Sequence, residues 1–115
     1  MLQKRDLGNN GEAIICNWLI DKGFVLLDRN IKEKFAEIDI VARDGSALCF
    51  IEVRTRQDIK LGHPLETITK KKQTNIRRAA EAYIAKRNIF NQEIRFDVAT
   101  IVWSTMEITF LKNAF

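Results

Sequence analysis

Two strand-like runs on either side of Asp44-Gly45 constrain the fold of this chain most strongly. Residues 37–42 alternate in polarity, which predicts a strand with two different faces. Residues 47–54 form a mostly apolar run that turns polar at its end. Asp-Gly between two such runs is a signal for a β-hairpin. With the short apolar run at residues 24–28, these segments predict a meander of three strands.

Helical and strand patterns flank this meander. Apolar side chains at helical spacing predict a first helix over residues 6–22, which Gly23 would terminate. An interrupted apolar face predicts a second, long helix over residues 66–87, and strands over 94–103 and 106–111 follow. The order α-β-β-β-α-β-β predicts an α/β sandwich with a mixed sheet.

Length and composition limit the classes of protein that the chain can belong to. Its 115 residues fit a single domain spanning residues 1–115. No apolar run approaches the roughly 20 residues that span a bilayer, and no signal peptide is recognisable, so we expect a cytoplasmic protein without membrane contact. Cys16 and Cys49 lie in apolar surroundings and are expected to be buried free thiols. The net charge of +4 is compatible with nucleic-acid binding.

Acidic residues in the two hairpin strands are the first candidates for a site. Counting outward from Asp44-Gly45 places Asp39 near Phe50 or Ile51, with Glu52 about one residue further along. Neighbours across strands lie roughly 5 to 8 Å apart, close enough for two carboxylates to share one ion. Mg²⁺ suits one or two carboxylates, waters and phosphate oxygens. Surface ion pairs, Glu52 with Arg54 or Asp39 with Arg43, are the alternative.

Basic residues cluster at the start of the second predicted helix, with no acidic residue among positions 70 to 78. Lys70, Arg77 and Arg78 are predicted to lie on one side of the helix, and Lys71 and Lys72 elsewhere around it. Such a field would strengthen phosphate binding through counterion release, although a solvated helix face is the ordinary alternative. His63, in a predicted loop over residues 57–65, offers a general base or only a structural side chain.

The chain resembles the UPF0102 family along nearly its whole length. The segments that carry the resemblance are Gly8-Asn-Asn-Gly11-Glu12-Ala13, Gly23-Phe24, Arg29-Asn30, Glu37-Ile-Asp-Ile40, Phe50-Ile-Glu-Val-Arg-Thr-Arg56, Lys72-Gln73, Ala79-Ala80 and Arg95-Phe-Asp97. This family is assigned to the restriction-endonuclease-like superfamily and is similar to archaeal Holliday-junction resolvases. The resemblance therefore implies a three-layer sandwich with a mixed central sheet. It also implies a nuclease-like site.

The resemblance assigns roles to individual residues. Asp39 and Glu52 would bind Mg²⁺ or Mn²⁺, with the Val53 carbonyl as a further ligand, and Glu12 would complete the site. The family's Phe-Val-Glu-Val-Lys-x-Arg segment places its catalytic lysine where this chain has Arg54. Arginine stays protonated and cannot act as a general base, so the substitution predicts weakened or lost activity.

Other implied contacts concern DNA and a second protomer. The residues expected to contact nucleic acid are Lys70 and Arg77, from the basic cluster, and Lys72 and Gln73, which also match the family. Resolvases generally act as dimers, and the segment 106–111 with Phe115 offers an edge for a homodimer. The expected function is that of a metal-dependent endonuclease-like protein acting on DNA, with branched or recombination-related DNA as the substrate that the resemblance implies. A non-catalytic nucleic-acid-binding module and a partner-binding protein with merely ion-paired carboxylates remain open alternatives.

Overall fold

A computed structural model describes residues 11–57 and 68–115 of the chain. Its elements follow the predicted order and confirm it. They are α1 (Gly11–Asp21), β1 (Val25–Lys32), β2 (Glu37–Asp44), β3 (Ala47–Arg56), α2 (Lys70–Lys86), β4 (Glu93–Val102) and β5 (Glu107–Leu111). The predicted first turn of the first helix, from residue 6, lies outside the described residues. So does most of the predicted loop over 57–65, including His63.

The strands form one five-stranded sheet in the order β1-β2-β3-β4-β5. All neighbouring strands are antiparallel except β3 and β4, which are parallel. A parallel pair needs a crossover connection, and α2 lies in the chain between these two strands. The fold is therefore mixed α/β, as predicted.

The sheet has a hydrophobic core on each face. On one face, Ile15, Cys16 and Leu19 of α1 pack with Ile40, Cys49, Ile51 and Ile101 of the strands. On the other face, Ile76, Ala79, Ala80 and Tyr83 of α2 pack with Val41, Leu48, Phe50 and Phe96. The sheet therefore forms the middle of three layers. Cys16 and Cys49 are buried free thiols, as predicted. Neither α1 nor α2, the helices of the described residues, is long and apolar enough to cross a membrane.

Alternation along β2 holds over most of its length. Ile40 and Ala42 pack on the α1 face and Val41 packs on the α2 face, as the pattern predicts. Ile38 was predicted to share the face of Ile40 but packs with the α2 core. The ladder between β2 and β3 ends at the pair Ile40↔Ile51, so Ile38 lies beyond the segment that β3 holds in register.

The first helix ends as the sequence predicts. Gly23 has a φ of +93°, in the left-handed region that favours glycine. Its N–H donates to the carbonyl of Ile20, and the N–H of Phe24 donates to the carbonyl of Leu19. These two bonds form a Schellman motif, which satisfies carbonyls that the end of a helix leaves without partners.

The second helix begins later than predicted. Thr69 is its N-cap, in extended conformation, and the Thr69 side chain accepts a hydrogen bond from the Lys72 N–H at 3.1 Å. A threonine in this role satisfies one of the free N–H groups of the first turn. The predicted start at residue 66 is therefore wrong, because helical periodicity alone does not locate the cap.

The first strand is longer than predicted. It continues past Asp28 to Lys32 and pairs with β2 down to Lys32↔Glu37. Its second half, Arg29-Asn-Ile-Lys32, is mostly polar, so hydrophobicity alone predicts an earlier end. An edge strand has one neighbour and tolerates polar side chains, which explains the difference. β2 and β3 also each run two residues beyond their predicted ends, because the polar residues there still pair with a neighbouring strand.

A buried ion network joins β4 to the hairpin and to the C-terminal segment. Arg95 and Asp97 form an ion pair, in which Nε and Nη2 of Arg95 donate to the Asp97 carboxylate at 2.9 to 3.0 Å. Arg95 Nη1 also lies 2.9 Å from Asp44 Oδ2. The N–H of Asn113 donates to Asp97 Oδ1 at 3.0 Å. Asp97 has no exposed surface, so every polar contact it makes is to protein.

Candidate functional site

The two acidic residues of the hairpin lie close together, just beyond the last pair of the β2–β3 ladder. The β2–β3 ladder runs from Asp44↔Ala47 to Ile40↔Ile51, and one further step places Asp39 opposite Glu52. The predicted register, with Asp39 near Phe50 or Ile51, is wrong. The turn residues are Gly45 and Ser46 rather than Asp44 and Gly45, which moves the register. Opposed residues of an antiparallel pair share a face, so both carboxylates lie on the same side of the sheet.

The backbone ladder between β2 and β3 ends at this point, and the Asp39 side chain accepts the next hydrogen bond from β3. The N–H of Val53, the residue after Glu52, donates to Asp39 Oδ2 at 2.8 Å. A strand residue that pairs through its N–H presents its carbonyl to the same edge. The Val53 carbonyl therefore points toward the same gap between the strand ends. This arrangement gathers two carboxylates and one backbone carbonyl, the three groups that the resemblance implies as ligands.

Burial and the neighbouring charge make Asp39 an unusual carboxyl group. Burial, together with the negative charge and hydrogen bonding of Glu52, raises the pKa of Asp39 from 3.8 to about 7. The charge of Glu12 raises this pKa further, and the hydrogen bond from the Val53 N–H opposes the increase. A cation bound at Asp39 would offset this penalty and lower the pKa.

Glu52 is held by two cations. Its side chain is only 7% exposed, and Oε1 lies 2.8 Å from Lys72 Nζ and 3.5 Å from Arg54 Nη1. The sequence places Lys72 among the residues that contact nucleic acid, and the structure places it beside the acidic pair. Lysine therefore reaches Glu52 from α2 rather than from β3. Thr69 is a local signal for the N-cap that sets Lys72 in the first turn of α2, but the contact with Glu52 depends on how α2 packs on the sheet.

Glu12 lies near the acidic pair but has its own partner. Arg29 Nε donates to Glu12 Oε1 at 3.1 Å, and both side chains are about one fifth exposed, at 18% and 19%. Glu12 is close enough to raise the pKa of Asp39 by its charge. It therefore contributes to the field of the site from the start of α1.

A cleft of about 550 Å³ opens over the carboxylates. Its lining includes Phe35, Asp39, Glu52, Thr69, Lys71 and Lys72. The volume lies within the range of roughly 300 to 1,000 Å³ that is usual for ligand sites. One wall is the connection between β1 and β2, and the other is the first turn of α2. The cleft is therefore acidic at its base and basic along one wall.

The remaining basic residues point in different directions. Arg77 lies with its guanidinium carbon 4.7 Å from the ring centre of Phe96 and 5.6 Å from that of Phe115. Arg78 instead lies 5.2 Å from the ring centre of Phe35 at the cleft. The prediction that Arg77 and Arg78 share one side with Lys70 is therefore wrong, because their side chains turn toward aromatic rings in different parts of the molecule.

Two further residues predicted to contact nucleic acid lie at the start of α2. Lys70 is exposed, as the first residue of the helix. Gln73 Nε2 donates to the Ile68 carbonyl at 3.3 Å, which links the first turn to the preceding segment. Gln73 therefore has a local structural role. Lys70 is not part of the cleft lining, although its neighbours Thr69 and Lys71 are.

The donor set of the site fits a hard divalent cation. No group of three or more His, Cys, Asp or Glu side chains placed to hold a metal ion exists within residues 11–57 and 68–115. Zinc sites usually have three or four such ligands, and the described residues alone do not supply them. Mg²⁺ and Mn²⁺ accept one or two carboxylates and complete their shells with carbonyls, waters and phosphate oxygens. Asp39, Glu52 and the Val53 carbonyl match that pattern.

Comparison with known protein families identifies the family of this chain. A family model described as "Uncharacterised protein family UPF0102" matches residues 11–101. The chain belongs to the UPF0102 family. This confirms the resemblance, and the matched region contains Glu12, Asp39, Glu52 and Lys72.

Individual UPF0102 relatives match over most of their lengths. A UPF0102 protein from Dictyoglomus turgidum is 37% identical over 118 residues, covering 99% of this chain and 100% of the relative. One from Alkaliphilus metalliredigens is 39% identical, covering 96% of this chain and 98% of the relative. One from Chlorobium phaeobacteroides is 46% identical over 97 residues, covering 84% of this chain and 77% of the relative.

Proposed function

We propose that this UPF0102 protein is a metal-dependent phosphodiester hydrolase acting on DNA, with a fold of the restriction-endonuclease-like superfamily. The observation that carries the proposal is the closeness of the Asp39 and Glu52 carboxyl groups just beyond the β2–β3 ladder, with a lysine 2.8 Å from Glu52. The three-layer arrangement around a mixed sheet supports the superfamily assignment. Branched or recombination-related DNA is the substrate that the likeness to resolvases favours.

Asp39, Glu52 and the Val53 carbonyl would hold Mg²⁺ or Mn²⁺ in this site. When bound, the ion polarises the phosphoryl group and lowers the pKa of a coordinated water. The residues of the chain then position the reacting groups. Asp39, whose carboxylate is fixed by the hydrogen bond from the Val53 N–H, and Glu52 would bind the ion from neighbouring strands.

Hydrolysis in this site is an in-line displacement at phosphorus. A water oxygen forms the new bond to phosphorus in line with the bridging oxygen, whose bond to phosphorus breaks. The water loses a proton to solvent, and the leaving oxygen gains one. The Lys72 ammonium, beside Glu52, neutralises charge that develops on the phosphoryl oxygens. Arg54, 3.5 Å from Glu52, adds a second positive charge but does not have to act as a base.

The lysine from α2 changes what the sequence implies about activity. The substitution of Arg54 for the family's lysine predicts weakened or lost catalysis. Lys72 brings an ammonium group to the same carboxylate, so the site has a lysine despite that substitution. We therefore propose an active hydrolase.

The ion pairing of Glu52 favours a second candidate function. Lys72 and Arg54 already neutralise this carboxylate without a metal, as in a structural ion-pair network. A non-catalytic nucleic-acid-binding module would keep the same fold and basic surface. Metal-dependent cleavage separates the two functions.

Cleavage of labelled DNA tests the proposal. The substrates are a four-way junction and a linear duplex of matched sequence, with Mg²⁺, Mn²⁺ or EDTA. We expect wild type to cut with either metal, and Asp39→Ala and Glu52→Ala to lower the rate at least about 10³-fold. Asp44→Asn is the control, because Asp44 is an acidic residue of the same hairpin that pairs with Arg95 instead.

The same experiment has an outcome that contradicts the proposal. Cutting that persists in EDTA, or in both alanine variants, would assign the activity to something other than this site. Salt-sensitive binding of both DNA probes without any cutting by wild type would favour the binding module.

A further inference from the structure

An exposed aromatic side chain stands at the mouth of the cleft. Phe35 lies in the connection between β1 and β2, and 46% of its surface is exposed. Single exposed apolar residues are common on protein surfaces and need no explanation by themselves. Phe35 differs because it lines the same cleft as Asp39 and Glu52.

The connection that carries Phe35 is held in a defined shape. The N–H of Glu33 donates to the carbonyl of Ala36 at 3.0 Å, closing a tight turn with Lys34 and Phe35 at its tip. Lys86 Nζ of α2 lies 2.6 Å from Glu33 Oε1, which ties the turn to the helix. Ala36 packs against the core on the α2 face. The ring of Phe35 is therefore presented from a fixed platform.

Cationic side chains surround this ring. Lys34 Nζ lies 5.7 Å from the ring centre and the guanidinium carbon of Arg78 lies 5.2 Å from it. Lys71 lines the same cleft. All three cations are exposed and can turn outward to bind phosphates without repacking the core. An aromatic face among several cations is the combination that single-stranded nucleic acid binds, through base stacking and phosphate contact.

We propose that Phe35 stacks on an unpaired base of the DNA next to the phosphodiester held at Asp39 and Glu52. The protein would then prefer DNA with single-stranded or branched segments over continuous duplex. Bases within a duplex already stack on their neighbours, so only an unpaired base can use the ring. The inference rests on the proposed function in taking DNA as the substrate, and it does not require cleavage.

Binding of two DNA probes in EDTA tests the inference without cleavage. One probe is a hairpin with a short single-stranded tail containing 2-aminopurine, and the other is a blunt hairpin with the same stem. We expect wild type to bind the tailed probe more tightly and to quench its fluorescence. Phe35→Ala should weaken binding of the tailed probe by about 5- to 100-fold and leave the blunt probe nearly unchanged. Phe35→Trp should restore both affinity and quenching.

Phe90 provides the matched control. It is also a phenylalanine, 75% exposed, and it lies outside the cleft lining. Phe90→Ala should bind both probes as wild type does. Equal binding of the tailed probe by wild type and Phe35→Ala would overturn the inference, and so would an equal loss on both probes.

The outcomes separate this inference from the proposed function. Metal-dependent cutting with no effect of Phe35→Ala on tailed-probe binding would leave the hydrolase and remove the stacking role. A loss specific to the tailed probe, without cutting by wild type, would leave the stacking role and remove the hydrolase. Absence of binding to either probe by wild type would overturn the stacking inference.

Discussion

Replacing Lys72 by alanine is expected to slow metal-dependent DNA cleavage by roughly 10²- to 10³-fold, the usual effect of removing one preorganised donor to developing charge. Lys72 Nζ lies 2.8 Å from Glu52 Oε1 and extends from the first turn of α2 into the cleft. The loss should fall mainly on kcat, because charge on the phosphoryl oxygens is greatest in the transition state. Single-turnover cleavage of a labelled junction measures this rate.

Three further variants give this prediction its specificity. Lys72→Arg keeps the charge and should recover part of the rate, whereas Arg54→Lys should change the rate by less than about tenfold. Lys112→Ala is the control, because Lys112 is another lysine that pairs with a carboxylate, that of Asp44. Near-normal cleavage by Lys72→Ala with a large gain in Arg54→Lys would show that the catalytic lysine belongs on β3 and that arginine disables the site.

Replacing Asp97 by alanine is expected to lower the free energy of unfolding by about 3 to 5 kcal/mol, the usual cost of breaking a buried ion pair by removing one partner. Asp97 is fully buried and accepts hydrogen bonds from Arg95 and from the Asn113 N–H. Its loss leaves the largely buried guanidinium of Arg95 with only Asp44 as an acidic partner in the described network. Urea denaturation at neutral pH measures the change.

An exposed member of the same network supplies the comparison. Lys112 Nζ lies 3.3 Å from Asp44, and its side chain is 58% exposed. Lys112→Ala should cost less than about 1 kcal/mol, because solvent screens an exposed pair. A cost below about 1 kcal/mol for Asp97→Ala as well would contradict the structural role of the buried pair.

Local signals predicted most of the fold. The order of elements followed from periodicity, and Gly23 was identified correctly because a left-handed helix terminus favours glycine. The predicted start of α2 was four residues too early, because periodicity does not show that Thr69 caps the helix by accepting a hydrogen bond from the Lys72 N–H. The polar half of β1 was missed because edge pairing, rather than hydrophobicity, holds it in the sheet.

The candidate site was predicted in composition but not in arrangement. Asp39 and Glu52 were identified from the strands that carry them, but their relative position depended on which two residues form the hairpin turn. The contact between Lys72 and Glu52 joins residues twenty positions apart on different elements. Only the packing of α2 on the sheet brings them together, and no local pattern encodes that packing.

Isothermal titration calorimetry with Mn²⁺ is the most direct test of the central claim that Asp39 and Glu52 form a metal site. We predict saturable binding by wild type that is lost in Asp39→Asn and kept in Asp44→Asn. Binding requires the ionised carboxylate, and the pKa of Asp39 is raised to about 7. The affinity should therefore be roughly tenfold higher at pH 8 than at pH 6. Equal binding by wild type and Asp39→Asn, or no saturable binding by wild type at pH 8, would contradict the claim.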